Sequence, residues 1–125
     1  MKPLVKILYI DDEEINLELF RWTFKNQFNV LTAISAKEGL AVLEAHDVPV
    51  VVTDLKMPEM DGLQLIEIIK RKSPEKICIM LTGFIDLAAK AKSNIVFNVL
   101  AKPWKKNELQ KAIQTGIEAY QKEIN

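Results

Sequence analysis

The stretch VVVTDLKMPEMDG, residues 50–62, contains the pattern that decides the fold. Three consecutive valines and a threonine form an apolar run without polar alternation, which is typical of a strand buried on both faces of a parallel sheet. The run ends at Asp54, and the following Pro, Glu, Asp and Gly residues are typical of a turn. Apolar residues then recur with helical spacing at Leu63, Ile66 and Ile69. The segment therefore predicts a buried strand, a loop and a helix.

The same alternation of apolar runs and helical spacings extends along the whole chain. The predicted strands are Val5 to Ile10, Val30 to Ile34, Val50 to Thr53, Ile77 to Leu81 and Phe97 to Leu100. Helical spacing also occurs at Leu40 and Leu43, where Ser35 is a candidate N-cap, and from about Lys106 to the end. Residues 86–93 show the weakest helical pattern. Alternating strands and helices indicate one α/β domain with a doubly wound parallel sheet.

The composition and net charge of the chain exclude several classes of protein. The chain has 125 residues, of which 49% are hydrophobic, and its 17 Lys plus Arg balance 17 Asp plus Glu. One Cys and one His exclude an internal disulfide and a Cys/His zinc site, which favours an intracellular setting. Zero net charge argues against direct nucleic-acid binding, and no apolar run approaches the roughly 20 residues that span a bilayer. We therefore expect a cytoplasmic protein that binds neither nucleic acid nor membrane directly.

Polar residues follow four of the predicted strands. In a doubly wound sheet, ligands bind in the crevice at the carboxyl ends of the strands, so these residues should converge there. They are Asp11-Asp12-Glu13-Glu14, Asp54, Thr82-Gly83 and Lys102-Pro103. Converging carboxylates repel one another unless a cation is present, and Mg²⁺ prefers oxygen ligands. A hydroxyl donor and an ammonium group beside them suit phosphoryl transfer to a carboxylate.

These motifs resemble the receiver domain of bacterial two-component response regulators. The matching pieces, in order along the chain, are Ile10-Asp11-Asp12-Glu13, Thr53 to Gly62, Leu81-Thr82-Gly83 and Lys102-Pro103. The resemblance implies a receiver domain over residues 1–125 with a flavodoxin-like five-stranded sheet in the order 2-1-3-4-5. It also implies a cis Lys102-Pro103 peptide bond and leaves open whether an effector domain is linked to the receiver.

The resemblance further implies a role for each site residue. Asp54 is the expected phosphoacceptor, and Thr82 and Lys102 are expected to contact the phosphoryl oxygens. The implied Mg²⁺ ligands are Asp11, Asp12, Asp54 and the backbone carbonyl of Lys56. The phosphoryl group would come from a sensor histidine kinase or a histidine phosphotransfer protein. Catalysis would be limited to self-phosphorylation and self-dephosphorylation, so the domain is expected to signal rather than to act as an enzyme.

The first predicted helix carries two apolar stripes at roughly 100° per residue. The first stripe is Leu17, Phe20 and Phe24, and the second is Ile15, Leu19 and Trp22. Only one stripe can face the sheet, and the resemblance favours the first as core. The second would then form an exposed apolar patch beside the acidic residues, which suits docking of a histidine-containing phosphodonor. Partial burial of this patch by neighbouring loops is the alternative.

Four positions bear on how the domain would work. Receivers usually carry Tyr or Phe three residues before the strand-five Lys, where this chain has Val99; alternation places the aromatic Phe97 on the same face. Lys56 and Phe84 are expected to flank the pocket. Val99 keeps open the alternative of a degenerate receiver that docks partners without phosphorylation. A small phosphatase with an aspartyl-phosphate intermediate would need an acid at Lys56.

Overall fold

The computed structural model describes residues 3–83 and 94–124. Its strands are β1 (Lys6–Ile10), β2 (Asn29–Ala33), β3 (Val50–Asp54), β4 (Ile77–Thr82) and β5 (Asn98–Ala101). The helices within these ranges are α1 (Glu14–Phe24), α2 (Ala36–Ala45), α3 (Gly62–Lys72) and α4 (Lys106–Ile124). The predicted strands are confirmed to within about one residue, whereas the predicted helical window 86–93 lies outside the described residues. None of the described helices is long and apolar enough to cross a membrane.

The strands form one parallel sheet in the order β2-β1-β3-β4-β5, as expected. β1 lies beside β3 with Ile10 opposite Thr53, and β3 lies beside β4 with Asp54 opposite Leu81. The pairing of β4 with β5 continues to Thr82. This register aligns the carboxyl ends of the four strands, so the residues that follow them meet at one edge of the sheet.

A hydrophobic core covers each face of the sheet. The core on the α1 and α4 face includes Phe20 and Ile113, and the core on the α2 and α3 face includes Ala36 and Leu65. Every residue of β3 and β4 is buried, because these strands contribute side chains to both cores. This explains why their sequences lack polar alternation.

One apolar stripe of α1 is buried and the other is exposed, as predicted. Leu17, Phe20 and Phe24 are buried against the sheet. The second stripe is exposed, with fractional exposures of 72% for Ile15, 53% for Leu19 and 71% for Trp22. The described neighbouring loops therefore do not bury this surface, which we call the α1 patch (Ile15, Leu19 and Trp22).

The prediction that Phe97 and Val99 share a face is wrong. β5 begins at Asn98, so the alternation of side chains along the strand does not extend back to Phe97. Val99 packs on the α2 and α3 side of the sheet. Phe97 instead lies beside α4, where a Cβ added to Gly116 would be 3.8 Å from its ring. Phe97 therefore does not replace an aromatic residue at position 99.

Hydrogen bonds fix the start of α3 and join it to the end of β3. Asp61 caps the helix, because its carboxylate accepts a hydrogen bond from the Gln64 amide while the Gln64 side chain accepts one from the Asp61 amide. The Gly62 amide donates to the Leu55 carbonyl at 2.8 Å. A Cβ on Gly62 would overlap the backbone carbonyl oxygen of Asp54. The close approach of the helix to the end of β3 therefore requires glycine at this position.

We expect Gly62→Ala to lower the free energy of unfolding by about 1 to 3 kcal/mol, the cost typical of overpacked sites. The added methyl group meets backbone atoms, which cannot rotate away as a side chain can. Urea denaturation measures the change. Gly83→Ala is the matched control, because a Cβ there meets none of the described residues within 4 Å. Equal stability of the two variants would contradict the close approach at Gly62.

Candidate functional site

Three carboxylates converge at the carboxyl edge of the sheet, as the sequence predicts. Asp11 and Asp12 follow β1, and Asp54 ends the adjacent β3. One oxygen from each lies within 4.8 Å of the other two. Asp11 and Asp54 are buried, with exposures of 0% and 8%, and Asp12 is the most exposed of the three. The site is therefore an acidic cluster that is sunk into the protein on one side and open to solvent on the other.

Lys102 is ion-paired with two of these acids. Its Nζ lies 3.2 Å from Oδ2 of Asp11 and 3.3 Å from Oδ2 of Asp54. Its backbone amide donates to the Thr82 carbonyl at 2.8 Å, and Thr82 is buried at the end of β4. The Lys102-Pro103 bond is cis, as expected. The structure thus brings Lys102 to the acidic cluster and places Thr82 at the end of β4, the strand next to β3.

The Asp11 carboxylate accepts hydrogen bonds from several elements. Its Oδ2 accepts from the Tyr9 hydroxyl at 2.7 Å and from Nδ2 of Asn16 at 3.2 Å, in addition to Lys102. Its Oδ1 accepts from the Glu13 amide at 2.9 Å. Sequence reasoning missed Tyr9 and Asn16 because neither follows a strand; the available signal for Tyr9 was a phenol within an otherwise aliphatic buried strand.

Burial and charge together set the pKa values at this site. Burial has the largest effect on the pKa of Asp54 and raises it. The positive charge of Lys102 lowers this pKa and the negative charge of Asp11 raises it, and the net shift is upward. Burial lowers the pKa of Lys102, but attraction to Asp54 and Asp11 outweighs this and the net shift is again upward. Lys102 is therefore a cation at neutral pH. The formal charges of the three carboxylates outnumber the single positive charge of Lys102.

The donor set fits a hard divalent cation. Clustered carboxylate oxygens with a solvent-facing side are the ligands that such ions take, together with water. Lys102 adds a positive charge beside the acids, and Thr82 provides a hydroxyl group at the end of the neighbouring strand, which together suit an anion bound beside the cation. Lys56 lies in the loop two residues after Asp54, and the role of its carbonyl stays a prediction. Phe84 lies outside the described residues.

Comparison with known proteins finds the same kind of domain. A family model described as response regulator receiver domain matches residues 7–114. The transcriptional regulatory protein GlrR of Escherichia coli K12 is 38% identical over 90% of this chain, which spans 26% of that relative. A solved receiver domain protein from Clostridium thermocellum is 37% identical with a TM-score of 0.85, covering 92% of this chain and 95% of its own. A CheY-like receiver domain protein from Methanospirillum hungatei JF-1 is 28% identical with a TM-score of 0.89, covering 96% and 98%.

We expect Asp54→Asn to raise the melting temperature at pH 7 in buffer with EDTA. The pKa of Asp54 is higher in the folded than in the unfolded state, so its ionisation destabilises the fold as pH rises through those two values. Each kcal/mol recovered should add about 4 °C.

The gain should shrink as pH falls toward 4, because the Asp54 carboxyl of the parent protein is then increasingly protonated in both the folded and the unfolded state. Asp47→Asn, at an exposed position, is the control and should melt like the parent protein. A lower melting temperature for Asp54→Asn than for the parent at pH 7 would contradict the raised pKa.

Proposed function

The chain belongs to the response regulator receiver family of two-component signalling, and we propose that Asp54 is the residue that accepts the phosphoryl group. The observation that carries this proposal is the convergence of Asp54 with Asp11, Asp12 and Lys102 at one edge of the sheet. The donor is a phosphohistidine on a sensor kinase or a histidine phosphotransfer protein. The complete set of acids, hydroxyl and amine gives no support to the alternative of a degenerate receiver.

The hydrogen bonds at the site favour Asp54 over Asp11 as the nucleophile. Both oxygens of Asp11 already accept hydrogen bonds, so its carboxylate is held in a fixed orientation. A carboxylate oxygen of Asp54 would form a bond to phosphorus while the P–N bond of the phosphohistidine breaks and imidazole leaves. Positioning and charge neutralisation supply most of the rate enhancement in such transfers.

We propose Mg²⁺ as the cation, with Asp11, Asp12, Asp54 and the carbonyl of Lys56 as its protein ligands. When bound, it neutralises carboxylate and phosphoryl charge. Lys102, which pairs with Asp11 and Asp54 in this structure, would then pair with the phosphoryl oxygens, and Thr82 would donate a hydrogen bond to them. Self-phosphorylation from small donors and self-dephosphorylation by water belong to the same proposal.

Phosphorylation would act as a switch by changing the charge at Asp54. The added negative charge attracts Lys102 and Thr82 and shifts the population of the loops that carry them. The target of this switch is proposed from the relatives. The chain spans about a quarter of the length of GlrR, a transcriptional regulatory protein. We therefore propose an effector domain linked to the receiver as the target.

Incubation with acetyl phosphate and Mg²⁺ should add one phosphoryl mass to the intact protein, detected by mass spectrometry. Asp54→Asn should abolish the adduct, because an amide oxygen is too poor a nucleophile. Asp47→Asn replaces an exposed aspartate away from the cluster and should retain it. An adduct that persists in Asp54→Asn, or none in the parent protein, would contradict the assignment.

The α1 patch is the proposed docking surface for the histidine-containing partner. α1 begins at Glu14, so Ile15 lies in the first turn after the acidic residues. Leu19 and Trp22 extend this exposed surface along the helix. A partner that covers the patch would bury apolar side chains while its histidine reaches the site, which fits an apolar helical surface that carries the histidine.

Leu19→Glu should reduce the rate of phosphoryl transfer from the cognate kinase by about 10-fold or more, because it places a charge in the contact. Labelling by acetyl phosphate should be unchanged, since Leu19 is exposed and outside the acidic cluster. Leu4→Glu is the control, because Leu4 is similarly exposed but precedes β1 at the opposite edge of the sheet. Equal loss of both reactions in Leu19→Glu would contradict docking at this patch.

A further inference from the structure

Tyr9 is a buried phenol directly beneath the acidic cluster. It lies in β1, two residues before Asp11 and one residue before the end of the strand. Its hydroxyl donates to Oδ2 of Asp11 at 2.7 Å, shorter than the 3.2 Å bonds from Asn16 and Lys102 to the same oxygen. Tyr9 and Asp11 both have 0% exposure, so solvent does not compete for this bond.

Aromatic contacts fix the position of the Tyr9 ring. It stacks on Phe20 of α1 with ring centroids 4.2 Å apart and an interplanar angle of 12°. Phe20 also contacts the edge of Trp104, with centroids 6.1 Å apart. Trp104 packs against the core cluster that contains Tyr9 and Phe20. The hydroxyl is therefore held in place by α1 and by the segment that follows Lys102.

We propose that Tyr9 is a positioning residue that orients Asp11 and so strengthens divalent-cation binding at the acidic cluster. Hydrogen-bond partners that orient a ligand commonly contribute 10- to 100-fold to metal affinity. Tyr9 also keeps the buried Oδ2 hydrogen-bonded when Lys102 moves away to admit a cation. Without the hydroxyl, Asp11 would lose an orienting donor and hold Lys102 more tightly, and both effects weaken cation binding. The inference rests on the proposed Mg²⁺ site.

Calorimetric titration with Mg²⁺ tests this inference without measuring phosphorylation. Tyr9→Phe keeps the ring and its stacking on Phe20 but removes the hydroxyl, and its Mg²⁺ dissociation constant should rise by about 10-fold. Tyr120→Phe removes a hydroxyl from α4 and should bind Mg²⁺ as the parent does. Asn16→Ala removes the longer bond to the same oxygen and should weaken binding by less than Tyr9→Phe.

The outcomes separate this inference from the proposed function. If the parent protein binds Mg²⁺ and Tyr9→Phe binds it equally well, Tyr9 does not position the ligand and only this inference is overturned. If the parent protein does not bind Mg²⁺, the proposed cation site and the role of Tyr9 both fail. Thermal melting in EDTA should show a cooperative transition for Tyr9→Phe. A weaker affinity in a folded variant therefore reports on the site and not on a loss of structure.

Discussion

Repulsion between like charges is the constraint on which the rest of this structure depends. Asp11, Asp12 and Asp54 cannot stay within a few ångströms of one another in a partly buried site unless their charge is compensated and their positions are enforced. Lys102, which directly follows the last strand, supplies part of the compensation. The pairing of β1 with β3 and of β3 with β4 holds the strand ends that carry these acids close together. The two cores stabilise a local arrangement that is unfavourable by itself.

The alternation of strands and helices could be predicted because its signals are local, whereas the strand order came from the resemblance to receiver domains. A strand buried on both faces, such as β3, has a continuous apolar sequence, and a helix such as α3 repeats its apolar residues with a different period. Once five such strands are ordered in a parallel sheet, their carboxyl ends must meet. The convergence of Asp11 with Asp54 therefore followed from topology without knowledge of any side-chain conformation.

Interactions that depend on side-chain conformation or on the end of an element were not predictable. The Tyr9 hydrogen bond requires a particular rotamer beneath a particular carboxylate, and no sequence period encodes it. The error at Phe97 arose because alternation holds only within a strand, and one residue before β5 the backbone no longer follows it. The pairing of Lys102 with two acids depends on the path of the chain after β5.

The closed loop after β3 has a mechanical consequence. The Leu55 amide is bound to the Leu81 carbonyl at 2.9 Å, and the Leu55 carbonyl receives the Gly62 amide at 2.8 Å, so both ends of the loop are tied to one residue. The end of β3 and the first turn of α3 are consequently linked to each other, and to β4, through the backbone of Leu55. Between the two ends of the loop, Glu59 adopts a left-handed backbone with φ of 70°. A single residue therefore couples the strand end that carries Asp54 to both β4 and α3.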